Sequence, residues 1–302
     1  MERKTAHGED WFMFPKPNKN AKLRIFCFPY AGAGASIYKK WEDSIPMEVE
    51  LCVATLPGRE NRRGESAFKD FSSLIEVVAE EIIPLLDKPY VFFGHSMGAL
   101  LSFELARTLG EKNIELPIHL ILSGINPLKS NDKLEMPLSS MSDHDFISLL
   151  HRLNGTPTEV LENKEVLNYF LPVIKADFAL LNSYSFAAGL PLECSITAYG
   201  GMDDTPAASL KDWATHTVST FAMKMFQGDH FFINSARKEV LAALRADLMM
   251  IVNKVTERDE MAILENFLNC KKKASPLKRG ATRGGKQRAL AENIKKNVRM
   301  FK

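Results

Sequence analysis

The order of apolar and polar segments along the chain predicts strands that alternate with helices. Short runs of dense apolar residues are typical of strands buried on both faces of a sheet. Longer stretches with an apolar residue every three or four positions are typical of helices that pack on such a sheet. The predicted strands are 23–29, 51–56, 91–94, 118–124, 194–199 and 221–226, and the predicted helices outside 126–190 are 37–45, 70–86, one from about 97 to 110, and 235–255. This order favours an α/β fold with a mostly parallel central sheet and helices on both faces.

The pattern changes between residues 126 and 190, where helical spacing appears over 143–153, 164–170 and 173–184 without a convincing strand. Helices inserted between two strands of an α/β sheet commonly cover the active site, so we predict a helical lid over about 126–190. Its apolar side chains either line an acyl channel or pack on one another, and spacing alone leaves both open. They are Phe146, Leu150, Phe170, Leu171, Phe178, Leu181 and Phe186.

Composition narrows the class of protein. The 302 residues are 45% hydrophobic, enough for a sizeable core, and we find no apolar window of 18 residues that predicts a membrane span. The first 22 residues are polar and charged, unlike a signal peptide. Four cysteines (Cys27, Cys52, Cys194 and Cys270) are too widely spaced for a disulfide framework or a metal site. We expect buried thiols in a reducing compartment, and therefore a cytoplasmic protein.

The formal net charge of +2 hides two different regions. Residues 271–302 carry 12 Lys or Arg and one acid, whereas the rest holds 27 basic and 36 acidic residues. We therefore predict a catalytic domain over 1–255 and a basic C-terminal extension over 256–302, disordered or partly helical. Such an extension has the charge to bind nucleic acid, an anionic membrane or an acidic protein, but solvation is the commoner outcome. Nucleic acid is not expected as a partner.

One segment carries candidate chemistry by itself. Gly94-His95-Ser96-Met97-Gly98 fits the G-x-S-x-G nucleophile elbow, and the predicted strand before it and helix after it supply the context that the motif needs. The glycines allow a turn so sharp that a Cβ would clash. Ser96 is the predicted nucleophile, and the backbone N–H of Met97, unpaired in the first helical turn, is a predicted oxyanion donor.

A serine nucleophile needs a base, and the base needs a group that orients it. In α/β-hydrolases the order along the chain is Ser, acid, His, each after a strand. His230 follows the last predicted strand, and two aspartates follow the strand before it. Counting from Gly201 gives Asp204 and counting from Gly200 gives Asp203, and we favour Asp204. The predicted catalytic residues are Ser96, Asp204 and His230, whereas Asp229 is interpreted as a loop residue and His119 as a core or face histidine.

Two loops rich in special residues complete the candidate site. Residues 30–36 follow the first strand and are rich in Gly and Ala, so their backbone can approach a substrate closely. The second oxyanion donor of such hydrolases comes from this kind of loop, and Ala31 is our candidate for its backbone N–H. The second loop carries Arg59, Arg62 and Arg63, and such a cluster is usually solvated, though it has the charge to meet a phosphate or an acidic partner.

Six motifs taken together give the chain a family resemblance. They are Phe28-Pro29-Tyr30-Ala31-Gly32-Ala33-Gly34, Leu56-Pro57-Gly58-Arg59-Glu60, Gly94-His95-Ser96-Met97-Gly98, Gly155-Thr156-Pro157, Ala176-Asp177-Phe178 and Gly228-Asp229-His230-Phe231-Phe232. From about residue 22 to 255 the chain resembles the type II thioesterases that accompany nonribosomal peptide and polyketide assembly lines, which are related to medium-chain fatty acyl synthase thioesterases. The resemblance implies hydrolysis of acyl or aminoacyl thioesters from the phosphopantetheine arm of carrier proteins, chiefly to clear stalled units, under a helical lid.

The resemblance has two departures and leaves alternatives open. Lys175 stands where family members usually carry arginine, and the basic extension is not part of the pattern. The other functions considered are a medium-chain fatty acyl-carrier thioesterase, a general carboxylesterase or acyltransferase of the same fold, and a binding module without catalysis. We expect no cofactor, because the substrate itself brings the phosphopantetheine, and we expect no metal. The expected partners are acyl or peptidyl carrier domains.

Overall fold

The structure is a computed structural model of the 302-residue chain, and it describes residues 10–127, 141–153, 163–204 and 206–273. The chain divides into two compact units, Met1–Thr256 and Glu257–Lys302. The first unit holds the sheet and the candidate site. The second unit, where it is described, is helical through Lys273.

The described residues form a seven-stranded sheet in the order β1-β3-β2-β4-β5-β6-β7. β2 to β7 run parallel to their neighbours, and β1 pairs antiparallel with β3 at one edge. The strands are β1 Phe12–Met13, β2 Leu23–Phe28, β3 Val49–Ala54, β4 Tyr90–His95, β5 His119–Ser123, β6 Ser195–Gly201 and β7 Phe221–Phe226. Because parallel strands end at the same edge, the loops after β2, β4, β6 and β7 lie on one side of the molecule.

The helices described follow the strands in alternation. They are α1 Ser36–Lys39, α2 Phe71–Ile82, α3 Met97–Glu111, α4 Asp143–Leu153, α5 Lys164–Ser183, α6 Ala207–Leu210, α7 Phe232–Ser235 and α8 Arg237–Lys273, with short 3₁₀ helices at Glu60–Arg62, Ile83–Leu85 and Lys211–His216. α4 and α5 lie in the insert between β5 and β6. None of the described helices is both long and apolar enough to cross a membrane.

The core lies on both faces of the sheet, as the unbroken apolar strands predict. Alternate side chains of β4 separate to the two faces: Phe92 packs in the cluster with α2 and α3, and Phe93 packs in the cluster with Trp41 and the first half of α8. Cys27, Cys52 and Cys194 are buried free thiols, and the side chain of Cys270 lies outside the described residues. The predicted α/β architecture, including helices inserted before β6, is confirmed.

Four element predictions need correction. β1 was not predicted, because two residues at a sheet edge show no periodicity. α1 ends at Lys39 rather than Ile45, and Trp41 then turns the chain by accepting N–H bonds from Ser44 and Ile45. The two helices predicted over 164–184 are one helix that includes Pro172, and the last helix ends at Lys273 rather than Val255. Pro172 lies inside this helix between two buried residues, Leu171 and Val173.

Candidate active site

Ser96 lies in a strained turn between β4 and α3. Its φ and ψ are 54° and −119°, a conformation that residues with a side chain rarely adopt. Its N–H donates to the carbonyl of Ser123 at 2.8 Å, and its carbonyl accepts from Ala99 at 2.9 Å. These two hydrogen bonds stabilise the strained backbone conformation of Ser96. The serine hydroxyl therefore projects from the carboxyl edge of the sheet.

The two motif glycines make this turn possible by close approach. A Cβ on Gly94 would lie 2.0 Å from the carbonyl oxygen of Gly98, and a Cβ on Gly98 would lie 2.0 Å from that of Phe28. Both obstacles are backbone atoms, which cannot move aside cheaply. The contact with Phe28 also brings the end of β2 against the start of α3.

Ser96, His230 and Asp204 form one hydrogen-bonded chain. Ser96 Oγ lies 2.9 Å from Nε2 of His230, and Nδ1 of His230 lies 3.0 Å from Oδ2 of Asp204. An ionised carboxylate only accepts, so Nδ1 carries the proton in this contact and Nε2 accepts from the serine hydroxyl. The side chains of His230 and Asp204 are 29% and 22% exposed, which leaves the group open to a substrate.

The neighbouring aspartates, Asp203 and Asp229, make other contacts. The Asp203 N–H donates to the carbonyl of Gly228 at 3.0 Å, and this residue is exposed. Asp229 Oδ1 accepts from the N–H of Phe231 at 2.9 Å, which is the contact expected of a turn-forming aspartate. Asp204 is therefore the carboxylate that the turn after β6 presents to the histidine.

The two predicted oxyanion donors belong to different elements, α3 and the loop after β2. Met97 is the first residue of α3, where a backbone N–H has no acceptor one turn earlier in the helix. Ala31 follows β2, whose residue Phe28 pairs with Gly94 at the end of β4. The loop after β2 is ordered by its own turn, in which Ala33 N–H donates to the carbonyl of Tyr30 at 3.0 Å.

His95 is a buried neighbour of the site to which the sequence assigned no role. Its Nδ1 lies 2.9 Å from Ser123 Oγ, and its ring centroid is 5.3 Å from that of His230. Burial, and to a smaller extent the electrostatic effect of the nearby His230 ring, lower the pKa of His95 to about 3, so that its imidazole is neutral at ordinary pH. His119, by contrast, begins β5 and lies 2.7 Å from Thr197 Oγ1, in agreement with its interpretation as a sheet residue.

The arginine cluster after β3 is not the solvated loop that sequence reasoning favoured. Arg59 and Arg62 are buried, and only Arg63 is exposed among the three. Arg59 pairs with Asp177 of α5, and Arg62 pairs with Glu65 and stacks on Trp11. The guanidinium of Arg63 lies over the ring of Tyr169. Ion pairing and burial thus account for the charges of Arg59 and Arg62, and Arg63 remains exposed as the sequence predicted.

The insert helices have a small core of their own. Four of the apolar residues noted in the sequence, Phe146, Leu150, Leu171 and Phe178, pack there with Leu167, Val173 and Ile174. Phe186 belongs to the main core, Leu181 packs against it, and Phe170 is 36% exposed. Packing on one another therefore explains most of these side chains. Gly155-Thr156-Pro157 and the basic segment 274–302 lie outside the described residues.

No group of three or more metal-ligating side chains is found within the described ranges.

A parallel sheet with a strained serine between strand and helix is the architecture of the α/β-hydrolases. The sequence pattern of the thioesterase domain family matches residues 23–248, and the chain belongs to that family. It is therefore a thioester hydrolase.

Relatives agree with this membership. The chain is 42% identical to the gramicidin S biosynthesis protein GrsT of Aneurinibacillus migulanus, over 80% of this chain and 95% of that protein. It is 30% identical to the medium-chain S-acyl fatty acid synthase thioesterase of Homo sapiens, over 88% of this chain and 100% of that protein. Among solved structures, the type II thioesterase BorB of the borrelidin biosynthetic cluster superposes with a TM-score of 0.72 at 27% identity, covering 81% of this chain and all of BorB. The resemblance to type II thioesterases is confirmed.

Proposed function

We propose that this thioesterase removes acyl or aminoacyl groups from the phosphopantetheine arm of carrier proteins in a peptide or polyketide assembly line, with Ser96, His230 and Asp204 as its catalytic residues. The observation that carries the proposal is the unbroken chain of 2.9 and 3.0 Å contacts from the serine hydroxyl to the carboxylate. It stands at the edge of the sheet where α/β-hydrolases do their chemistry.

Acylation begins when His230 takes the proton of Ser96 at Nε2. The serine oxygen attacks the thioester carbonyl carbon, and the carbonyl oxygen becomes an oxyanion. The backbone N–H groups of Met97 and Ala31 stabilise this charge, and Asp204 stabilises the imidazolium. The tetrahedral intermediate then expels the pantetheine sulfur, which takes the proton from His230 and leaves an acyl ester on Ser96.

Deacylation repeats these steps with water. His230 removes a proton from water, the hydroxide oxygen attacks the acyl ester, and the same N–H groups stabilise the second oxyanion. Collapse returns the proton to Ser96 and releases the acid. The protein supplies the nucleophile, base and oxyanion donors, so the proposed reaction needs no cofactor beyond the arm that the substrate carries.

The similarity to a gramicidin S biosynthesis protein and to BorB supports a biosynthetic setting. We propose acyl or peptidyl carrier domains as the partners and the cytoplasm as the compartment. A carrier domain binds here through a local patch rather than through net charge, because residues 1–270 are on balance acidic.

A panel of matched substrates tests this function. Purified protein is given the same acyl group as a carrier thioester, as a free pantetheine thioester and as an oxygen ester, and kcat/KM is measured for each. We expect the carrier thioester to be hydrolysed with the highest kcat/KM, because it adds protein contacts to the reacting group. An oxygen ester preferred over both thioesters would contradict the proposal and indicate a general carboxylesterase.

Medium-chain fatty acyl-carrier hydrolysis is the second candidate function. The 30% identity to the human medium-chain thioesterase, over the full length of that enzyme, supports it. Acyl chain length separates the two. A kcat/KM that rises steadily from acetyl to decanoyl carrier supports the fatty acyl function. High values for short acyl and aminoacyl groups support clearance of stalled units.

A further inference from the structure

The loop that carries Ala31 is held by a buried ion pair from outside the loop. Arg59 follows β3, and Asp177 lies in the insert helix α5. Arg59 Nη1 donates to Asp177 Oδ2 at 2.7 Å and Nη2 donates to Oδ1 at 2.6 Å, so the pair is bidentate. Their side chains are 7% and 2% exposed. Pairing of this kind fixes direction as well as distance.

Both partners also bind the backbone of this loop. Asp177 Oδ2 accepts from the N–H of Gly32 at 2.7 Å, and Arg59 Nη1 donates to the carbonyl of Ala33 at 2.9 Å. Gly32 has a φ of 79°, which a side chain would strain, and a Cβ there would lie 2.8 Å from Ile174 of α5. The loop therefore has its shape set against the insert helix.

This anchoring reaches the N–H of Ala31 through planar peptides. The N–H of Ala31 shares a peptide plane with the carbonyl of Tyr30, and in a trans peptide the two point in opposite directions. The carbonyl of Tyr30 accepts from the N–H of Ala33 at 3.0 Å. The carbonyl of Ala33 in turn accepts from Arg59, so the ion pair and this turn are connected. On the other side, only φ and ψ of Ala31 separate its N–H from the peptide that Asp177 holds. A shift of the ion pair thus turns the proposed oxyanion donor.

We propose that Arg59 and Asp177 are positioning residues that aim the Ala31 N–H at the reacting carbonyl and link the place of the insert helix to oxyanion stabilisation. The proposal rests on the proposed function, in which Ala31 is an oxyanion donor. Neither side chain touches the reacting atoms in this role. Their effect falls on the transition state, where the oxyanion forms, and hardly on the ground state.

The chain offers a matched control in a second buried ion pair. Arg24 of β2 and Glu50 of β3 are joined at 2.6 Å with side chains 8% and 5% exposed. They lie at the amino-terminal ends of their strands, away from Ser96. Arg24 also pairs with Asp87, so this control reports the effect of losing one buried ion pair far from the nucleophile while part of the counter-charge remains.

The experiment compares Asp177→Asn, Arg59→Lys and Glu50→Gln with the wild-type protein on a carrier thioester. Active sites are first counted by complete labelling with a serine-reactive phosphonate, so that only folded protein enters kcat. The serine adds to the carbonyl of a trifluoromethyl ketone analogue and forms an anionic tetrahedral adduct. The Ki of this analogue therefore reports on the oxyanion donors. We expect Asp177→Asn to lower kcat about 10²-fold, to raise Ki by a similar factor, and to leave KM within about threefold because ground-state binding is unaffected.

Arg59→Lys keeps the charge but loses the bidentate contact, so a smaller loss of the same kind is expected. It also serves as the test if Asp177→Asn yields too few labelled sites. Glu50→Gln should keep wild-type kcat and Ki. An unchanged Ki in both variants at the Arg59–Asp177 pair, a change confined to KM, or an equal fall in kcat for Glu50→Gln would overturn the positioning role. A wild-type protein that releases no acid would instead overturn the proposed function.

Discussion

The two ends of the parallel sheet carry the same kind of buried ion pair with different consequences. At the amino-terminal end, Arg24 and Glu50 are direct partners in the β2–β3 register and join two neighbouring strands. At the carboxyl-terminal end, Arg59 and Asp177 are 118 residues apart and connect the loops after β2 and β3 to the insert helix α5. One pair holds regular structure in place, and the other holds irregular backbone next to a nucleophile. Under the proposed role of Arg59 and Asp177, position rather than interaction type decides whether a contact serves stability or turnover.

Backbone strain lies at the nucleophile itself. The carboxyl-terminal end holds Ser96 at a positive φ and a buried, neutral His95 beside His230. The amino-terminal end has a positive φ of its own at Asn113, after α3, and a histidine with a lowered pKa, His119, at the start of β5, but it carries no proposed catalytic residue. Function thus draws on local strain that the rest of the core offsets.

Replacement of Asp204, the carboxylate that contacts His230, should give the largest fall in kcat. Asp204→Asn lets the amide donate to the imidazole and stabilise the wrong tautomer, so we expect kcat to fall about 10⁴-fold, as for other serine hydrolases, with thermal stability almost unchanged. Asp203→Asn is the matched control, one residue away, and should keep kcat within about twofold because it does not touch the histidine. Steady-state kinetics on both variants checks this. The reverse order of effects would assign the role to Asp203.

Loss of the ion pair at the amino-terminal end should change stability alone. Glu50→Gln leaves the buried guanidinium of Arg24 without its full counter-charge, and we expect the free energy of unfolding to fall by about 3 kcal/mol. Urea denaturation measures that loss, and kcat per labelled site should stay at the wild-type value. A stable variant with reduced kcat would break the division between the two ends.

The histidine at the start of β5 gives a smaller, pH-dependent effect. Burial lowers the pKa of His119 to about 4, below its ordinary value of 6.5. Between these values the unfolded chain binds a proton that the folded chain does not, so stability falls as pH drops through this range. From pH 7 to pH 5 the wild-type protein should lose about 2 kcal/mol more than His119→Gln. Equal losses in urea denaturation at the two pH values would contradict this.

Much of the fold and the site could be predicted because the deciding contacts are local in sequence. The elbow depends on glycines two residues either side of Ser96, and six strands are dense apolar runs. The choice between Asp203 and Asp204 was harder, because it depends on how tightly the turn after β6 closes. That turn is set by contacts with Phe226 at the end of β7 and with Gly228 in the loop that follows.

The parts that could not be predicted depend on contacts across long separations. β1 exists because Phe12 and Met13 pair with Ala54 and Val53, and nothing in two residues indicates it. The burial of Arg59 depends on Asp177 far along the chain, so the charge run resembled a solvated loop. Both residues stood within the motifs of the family resemblance, which was the available signal. The domain boundary at 255 and the partial order of the basic extension stay predictions.

Trapping the acyl enzyme identifies the nucleophile. A carrier thioester with a slowly released acyl group is mixed with the protein, and the reaction is quenched within milliseconds. The protein is then digested for mass spectrometry. We predict that the acyl group is found on Ser96 in the wild-type protein and that Ser96→Ala is folded, carries no acyl group and loses at least about 10³-fold in kcat. An acyl group on another residue, or near wild-type hydrolysis by Ser96→Ala, would contradict the account.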